Sequence, residues 1–294
     1  MEYIPHINDL KPILNDIEDL TFITEGGFKA VYKGIYRGKL EAIKVIFIPK
    51  DIEGEDLREE LIGRVRREIE SLRKIDSPLI VRLGAFHPQI FKIKDIEYLI
   101  YSEEFLPGES LRVKLKQKNI PTIIELKLLA ISLFEAIRIL KSHDLIHRDI
   151  KPDNVIATED QQRPFVILDL GLAFKLHGSN LTRNPAFRPG TLPYMAPEMF
   201  NPGFREFLDY RSDLYSAGLT IYEYASGNRP FARKSDDDYT TMYRILNTTP
   251  APLITFRPDL PSEFCKMIDQ LIKKLPALRP ASIELLLKKL RGIS

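Results

Sequence analysis

The sequence predicts an α+β protein, a small β-rich lobe carrying one helix followed by a larger α-helical lobe. Three observations predict this. Runs of β-branched and aromatic residues separated by turn chemistry fill Leu20 to Ile48, a single amphipathic helical pattern covers Leu57 to Leu72, and beyond Pro107-Gly108 the apolar spacing shifts to long three- and four-residue periods. A chain of 294 residues has room for one large domain or for two lobes. The expected boundaries are a short extension over 1–20, a first lobe over 21–104 and a second over 105–294, one domain overall.

The extension carries acidic and apolar residues with Pro5 and Pro12, and reads as a segment packed on the neighbouring lobe rather than as a domain. Val31, Tyr32, Ile35 and Tyr36, then a turn at Arg37-Gly38-Lys39, then Ala42 to Phe47 predict antiparallel hairpins. Leu57, Leu61, Ile62, Val65, Ile69 and Leu72 line one face of a helix whose other positions include Arg66, Arg67, Glu68 and Glu70. Val81 to Phe86 and Tyr98 to Phe105 read as further strands. Thr122 with Glu125 forms a capping-box signature ahead of the periodic run Leu126, Leu129, Leu133, Phe134, Ile137 and Leu140. Helices are also expected at Asp213–Ser226, Tyr239–Leu246, Glu263–Lys274 and Ile283–Leu290, with short strands at Val155-Ile156 and Val166 to Leu168.

Composition narrows the function by exclusion. Hydrophobic residues make up 44% and charged residues 29%, the balance of an ordered globular body. Forty-three basic residues against 41 acidic ones leave a net charge of +2, which calls for neither nucleic acid nor an anionic membrane as partner. Cys265 is the single cysteine, so an intrachain disulfide is impossible, and its helical setting suits a buried, inert thiol. The first residues lack the basic and then apolar run of a secretory signal, and no stretch approaches the ~20 apolar residues of a membrane span. The expected location is cytoplasmic.

The chemistry is concentrated in His147-Arg148-Asp149-Ile150-Lys151-Pro152-Asp153-Asn154, with Asp169-Leu170-Gly171 downstream. Phosphoryl transfer needs one carboxylate to orient an attacking hydroxyl and separate oxygen ligands to hold a magnesium ion on the phosphates. A loop-borne polar set of this kind has no good packing explanation. With these motifs the chain resembles the protein-kinase superfamily, specifically the eukaryotic-type serine/threonine protein kinase catalytic domain, over roughly residues 20 to 292. The resemblance implies a bilobal kinase-like fold, ATP and Mg2+, and a protein substrate with a serine or threonine acceptor. It also implies that Asp149 is the catalytic base, that Lys151 neutralises charge on the transferring phosphate, and that Asn154 and Asp169 hold the metal. Thr24, Gly26, Gly27 and Val31 match the glycine-rich loop over the nucleotide, Ala42 and Lys44 the third strand with its phosphate lysine, Glu68 the ion-pair partner of that lysine, and Glu104 and Leu106 the hinge. Gly190 to Glu198 closes the activation segment, with Thr191 facing the acceptor; Asp213 and Arg279 match a buried acid and the partner of Glu198.

The departures carry expectations of their own. Thr24 and Lys29 stand where glycines are usual, which stiffens the loop, and Leu170 replaces the usual phenylalanine while keeping its packing role. Glu103 falls at the back of the adenine pocket, where a buried lone carboxylate would be costly; either it finds a cationic or hydrogen-bonding partner or the alignment is off by one. Lys151 and Thr191 favour serine/threonine over tyrosine acceptors. Arg148 before Asp149 suggests ordering of the activation loop by phosphorylation at Ser179 or Thr182, by autophosphorylation or with a regulatory protein as a further partner. The alternative is a pseudokinase acting as a nucleotide-binding scaffold, and the retained Lys44, Asp149 and Asp169 argue against it. A small-molecule phosphotransferase ranks lower, because Ala196-Pro197-Glu198 and Arg279 fit the protein-kinase pattern.

Overall fold

The computed structural model describes residues 4–26, 29–48, 55–170, 174–175, 191–233 and 235–293. The chain divides into two compact units, Met1–Asp76 with Val81–Leu106, and Ser77–Ile80 with Pro107–Ser294. The α+β class expected from the sequence is found, with the main sheet in the first unit and most helices in the second.

In the first unit a short helix α1 (Ile7–Leu10) leads into strands β1 (Ile17–Gly26), β2 (Lys29–Tyr36) and β3 (Lys39–Ile48), then helix α2 (Glu55–Lys74) and strands β4 (Gln89–Ile93) and β5 (Ile96–Glu104). The sheet order is β1-β2-β3-β5-β4, antiparallel throughout. Successive strand side chains point to opposite faces, and here both faces are covered. Ile43 and Val45 join Tyr98 and Ile100 in a core completed by Leu10, Leu14 and Ile17, so the N-terminal segment belongs to this unit's core. Tyr32 fastens it by donating its hydroxyl to the Pro5 carbonyl at 2.8 Å. On the opposite face Ile46 and Ile48 of β3 and Leu99 and Tyr101 of β5 pack against Val65 and Ile69 of α2. Lys44 and Glu103 sit on this α2-facing side by alternation.

The second unit opens with β6 (Gly108–Ser110) and α3 (Leu111–Lys116), then the long α4 (Ile123–Ser142), β7 (Leu145–Ile146), β8 (Val155–Thr158), β9 (Phe165–Ile167) and β10 (Phe174–Lys175). Helices α5 (Arg211–Ser226), α6 (Asp238–Asn247), α7 (Ser262–Leu271) and α8 (Ile283–Arg291) complete it. Thr122 caps α4 as its signature predicts, its side chain accepting the Glu125 amide at 3.2 Å. Helix α5 is buried from Ser212 to Ala225 and so forms the centre of this unit. The Thr220 hydroxyl is satisfied within the helix, donating to the Ser216 carbonyl at 2.9 Å. Those of Tyr222 and Tyr224 reach the Ala251 carbonyl and Glu125 outside it, and the buried Tyr215 hydroxyl has no hydrogen-bond partner among the described residues. Gly218 lets α7 approach: a Cβ there would lie 2.7 Å from that of Leu271. Residues 77–80 join this unit through main-chain and side-chain bonds, Ile167 N–H to the Leu79 carbonyl at 2.9 Å and Arg163 Nε to the Pro78 carbonyl at 2.8 Å.

One expected strand is absent, and the strand β4 and the two- and three-residue strands β6, β7 and β10 are unexpected. Val81 to Phe86 is not a regular strand; it meets β5 through single bonds, Gly84 N–H to the Ser102 carbonyl and Glu104 N–H to the Arg82 carbonyl, each 2.9 Å. The reason is Glu41, a buried carboxylate on β3 that takes the Ala85 amide at 2.8 Å and the Ser102 hydroxyl in place of a ladder. A Cβ on Gly84 would fall 2.3 Å from the Ser102 Oγ and 2.7 Å from the Glu41 carboxylate. The edge strand β4 alternates too weakly in hydrophobicity to be read from its sequence.

Lys274, after α7, gives a pH test of this packing. Burial, and then the nearby Arg279 charge, lower its pKa to about 8; its Nζ lies 3.6 Å from the centre of the Phe231 ring. A lysine depressed in the folded state binds its proton more tightly when unfolded, so its contribution to stability rises as pH climbs from about 8 toward the unfolded value. The wild-type melting temperature should therefore rise relative to that of Lys274→Met between those limits; parallel pH profiles would contradict the assignment.

Candidate active site

Lys44 is 4% exposed and lies on the α2-facing side of β3. Its Nζ donates to Glu68 Oε1 at 2.9 Å and to Glu103 Oε1 at 2.5 Å. Helical spacing explains the first contact, since Glu68 lies between Val65 and Ile69 on the face that packs on the sheet. Strand register explains the second. Ala42 pairs with Glu103 and Lys44 with Tyr101, so Lys44 and Glu103 are diagonal neighbours within reach of long side chains. Glu103 thus has the cationic partner its position called for. With two carboxylates on one ammonium, each can hold the lysine when the other is neutralised. Glu68→Gln and Glu103→Gln should therefore couple by about 0.5–3 kcal/mol in a double-mutant cycle of denaturant stability, where strict additivity would contradict a shared lysine.

In the second unit, β7 runs into His147, which is fully buried. His147 Nε2 donates to the Leu168 carbonyl at 3.0 Å while Nδ1 accepts the Asp149 amide at 3.2 Å, which assigns the tautomer. Arg148 adopts a left-handed φ of 68°, unusual for a residue with a side chain. Asp213, in the first turn of α5, holds that turn by accepting the amides of His147 at 2.7 Å and Arg148 at 2.9 Å. Complete burial pushes the Asp213 carboxyl above its ordinary range, against the His147 and amide dipoles that favour its charge.

The strained turn presents Asp149, 7% exposed, to four donors. Oδ2 accepts Lys151 Nζ at 2.7 Å and Asn154 Nδ2 at 2.9 Å; Oδ1 accepts the Thr191 amide at 3.0 Å and its hydroxyl at 2.8 Å. Lys151 Nζ also reaches the Thr191 hydroxyl at 2.5 Å. Both carboxylate lone-pair sets are thereby used, which fixes the carboxylate plane. Asn154 spends its amide N–H groups on Asp149 and turns its side-chain oxygen the other way. Its own carbonyl accepts the Leu168 amide at 2.8 Å, which sets Asp169 directly beyond, at a φ of 66°. A carboxylate and an amide oxygen are hard donors that suit magnesium shared with phosphate, an ion that rarely needs an all-protein cage. Among the described residues no group of three His, Cys, Asp or Glu side chains forms such a cage.

Downstream of Thr191 the chain is anchored by Glu198. Arg279 spends all five of its N–H donors there: on both Glu198 oxygens at 2.6 and 2.7 Å, and on the carbonyls of Lys273, Arg211 and Lys274 at 2.8 to 2.9 Å.

The other residues singled out by the sequence are more scattered. Thr24 and Gly26 are exposed near the end of β1, paired in register with Val31 and Lys29, and the space around Gly26 is open. Val31 also pairs with Lys44, and Ala42 with Glu103. Glu104 ends β5, its Oε1 accepting the Arg82 amide at 2.9 Å, and Leu106 is half-buried after it. Gly27, Ser179 and Thr182 lie outside the described residues. Sequence reading missed a second polar cluster altogether. Arg112 on α3 donates to Asp153 at 3.1 Å, Glu223 at 2.7 Å and the Tyr194 hydroxyl at 2.5 Å. Burial opposes the charge of Arg112, but the Glu223 hydrogen bond and its acidic neighbours outweigh this and raise its pKa. Its partners are 41 to 111 positions away, so no local spacing announces them.

The family described as protein kinase domain matches residues 17–290. The chain is 27% identical over 266 residues to a probable serine/threonine-protein kinase of Clostridium perfringens, covering 90% of this chain and 36% of that protein. It is 29% identical to serine/threonine-protein kinase 32B of Homo sapiens, covering 92% and 63% respectively. It is 28% identical to the dual specificity mitogen-activated protein kinase kinase mek-1 of Caenorhabditis elegans, covering 90% and 71%. The chain thus spans about a third to two thirds of the first two relatives. Among the described residues no helix is long and apolar enough to cross a membrane.

Proposed function

Because the chain belongs to the protein kinase domain family, we propose that it transfers the γ-phosphoryl group of ATP, with magnesium, to serine or threonine hydroxyls of a protein, itself included. The observation that carries this reading is the Asp149 carboxylate, held by Lys151, Asn154 and Thr191 in one orientation. A carboxylate so held can receive a hydroxyl proton as the oxygen attacks phosphorus in line. Its acceptor sites are full, so the incoming hydroxyl replaces that of Thr191, which keeps its bond to Lys151. Lys151 then sits beside the transferring group, where its charge is most useful. Lys44, fixed by Glu68 and Glu103, is the cation for the nucleotide phosphates. Asn154 and Asp169 would hold the magnesium, which when bound neutralises charge on the phosphate oxygens.

The names of the relatives favour serine and threonine acceptors, with one dual-specificity enzyme among them. The test is acid hydrolysis of the product after incubation with γ-labelled ATP and magnesium. Phosphoserine or phosphothreonine is the expected result, with the self-label mapping to Ser179 or Thr182. Phosphotyrosine alone would overturn the acceptor class. Nucleotide binding without any transfer would favour a scaffold that has lost catalysis.

A further inference from the structure

A cavity of about 610 Å³ opens in the second unit among α3, the end of α5, residues 227–233 and Phe256. Its chemistry is lopsided. Arg112, Lys116, Arg229 and Arg233 line it against the single carboxylate of Glu223. That carboxylate is already committed, since it accepts Arg112 Nη1 at 2.7 Å, Arg229 Nε at 3.0 Å and the Tyr194 hydroxyl. Two acids bonded to these lining residues are engaged as well, Asp153 by Arg112, and Asp236 by the Arg244 side chain and the Arg233 amide. Among the described residues, the ammonium of Lys116 and the guanidinium of Arg233 have no hydrogen-bond or ion-pair partner. An exposed Phe256 supplies an apolar wall.

The cavity is also tied to the catalytic loop. Arg112 binds Asp153, the residue before Asn154, and Tyr194, three positions beyond the Thr191 that contacts Asp149. The Arg229 guanidinium lies 5.9 Å from the Tyr194 ring centre. A chain segment in this cavity therefore lies alongside the stretch that faces the acceptor. We infer that the cavity binds an acidic segment of the protein substrate, bearing glutamate, aspartate or phosphorylated side chains near the acceptor hydroxyl. Excess positive charge in a concave, partly apolar site selects such a segment over a neutral or basic one. That the segment belongs to a substrate rests on the proposed kinase activity; the binding itself does not.

Two measurements separate binding from transfer. Fluorescence anisotropy at low salt compares the binding, to the full chain, of a labelled serine peptide with glutamate-rich flanks and of the same peptide with glutamine flanks. The glutamate peptide should bind about tenfold tighter, and the advantage should shrink with added salt. The double variant Lys116→Glu, Arg233→Glu, whose side chains hold no partner to lose, should abolish the preference, and Arg229→Gln should reduce it. Equal binding of the two peptides, or a preference that survives the double variant, overturns the inference. So does a single-stranded oligonucleotide of equal charge that binds as tightly and is lost in the same variants. Phosphoryl transfer, recorded on the same peptides, reports the kinase reading separately. Preference without transfer upholds the cavity and overturns the activity; transfer without preference does the reverse.

Discussion

Asp149→Asn should lower the rate of phosphoryl transfer by about 10³-fold, within the 10²–10⁴-fold range typical of a positioned general base. The side chain keeps its shape, so the folded unit survives. What changes is the chemistry at two oxygens. One becomes an amide nitrogen that cannot accept a proton and that faces donors on either side, Lys151 and Asn154 at one position, Thr191 at the other. Leaving a buried donor unmatched costs about 1–3 kcal/mol, so a modest fall in melting temperature accompanies the loss of rate. Steady-state kinetics with saturating nucleotide check this, and a variant that retains rates within tenfold of wild type would remove Asp149 from the role of base.

The second large effect is on stability. Arg279→Ala should destabilise the second unit by about 3–5 kcal/mol, because it leaves the Glu198 carboxylate without its bidentate partner in a largely buried setting. The arginine side chain has no exposed surface and Glu198 has little. Three carbonyls, those of Lys273, Arg211 and Lys274, also lose a donor. At about 2–4 °C per kcal/mol for a body of this size, the melting temperature should fall by roughly 6–20 °C. Arg279→Lys should recover only part of this, since a single ammonium cannot reproduce the planar fork. A fall of less than about 2 °C for Arg279→Ala in a circular-dichroism melt would contradict the energetic role given to this pair.

The loop from His147 to Asn154 was legible because its residues are contiguous, and contiguity survives translation into space. The same holds for Lys44 and Glu68, whose faces are set by strand alternation and helical period. Glu103 is an intermediate case. Its cost was visible in the sequence, but its remedy depended on the register between β3 and β5, which strand patterns alone do not give. Val81 to Phe86 misled because β-branched and aromatic residues fit any half-buried extended segment; the buried Glu41 carboxylate that interrupts the ladder lies 44 positions away from Ala85. The Arg112 cluster was out of reach for the same reason. Its members are joined by tertiary packing around α5, and each taken alone reads as a solvated charge.

The most direct test of the central claim is transfer from γ-labelled ATP with magnesium to a serine- and threonine-containing protein substrate, measured side by side for wild type, Asp149→Asn and Asp169→Asn. Label on serine or threonine with wild type, and a loss of rate of about two orders of magnitude or more in both variants, is the predicted result. Transfer at the wild-type rate by either variant, or none by wild type that nonetheless binds the nucleotide, would contradict it.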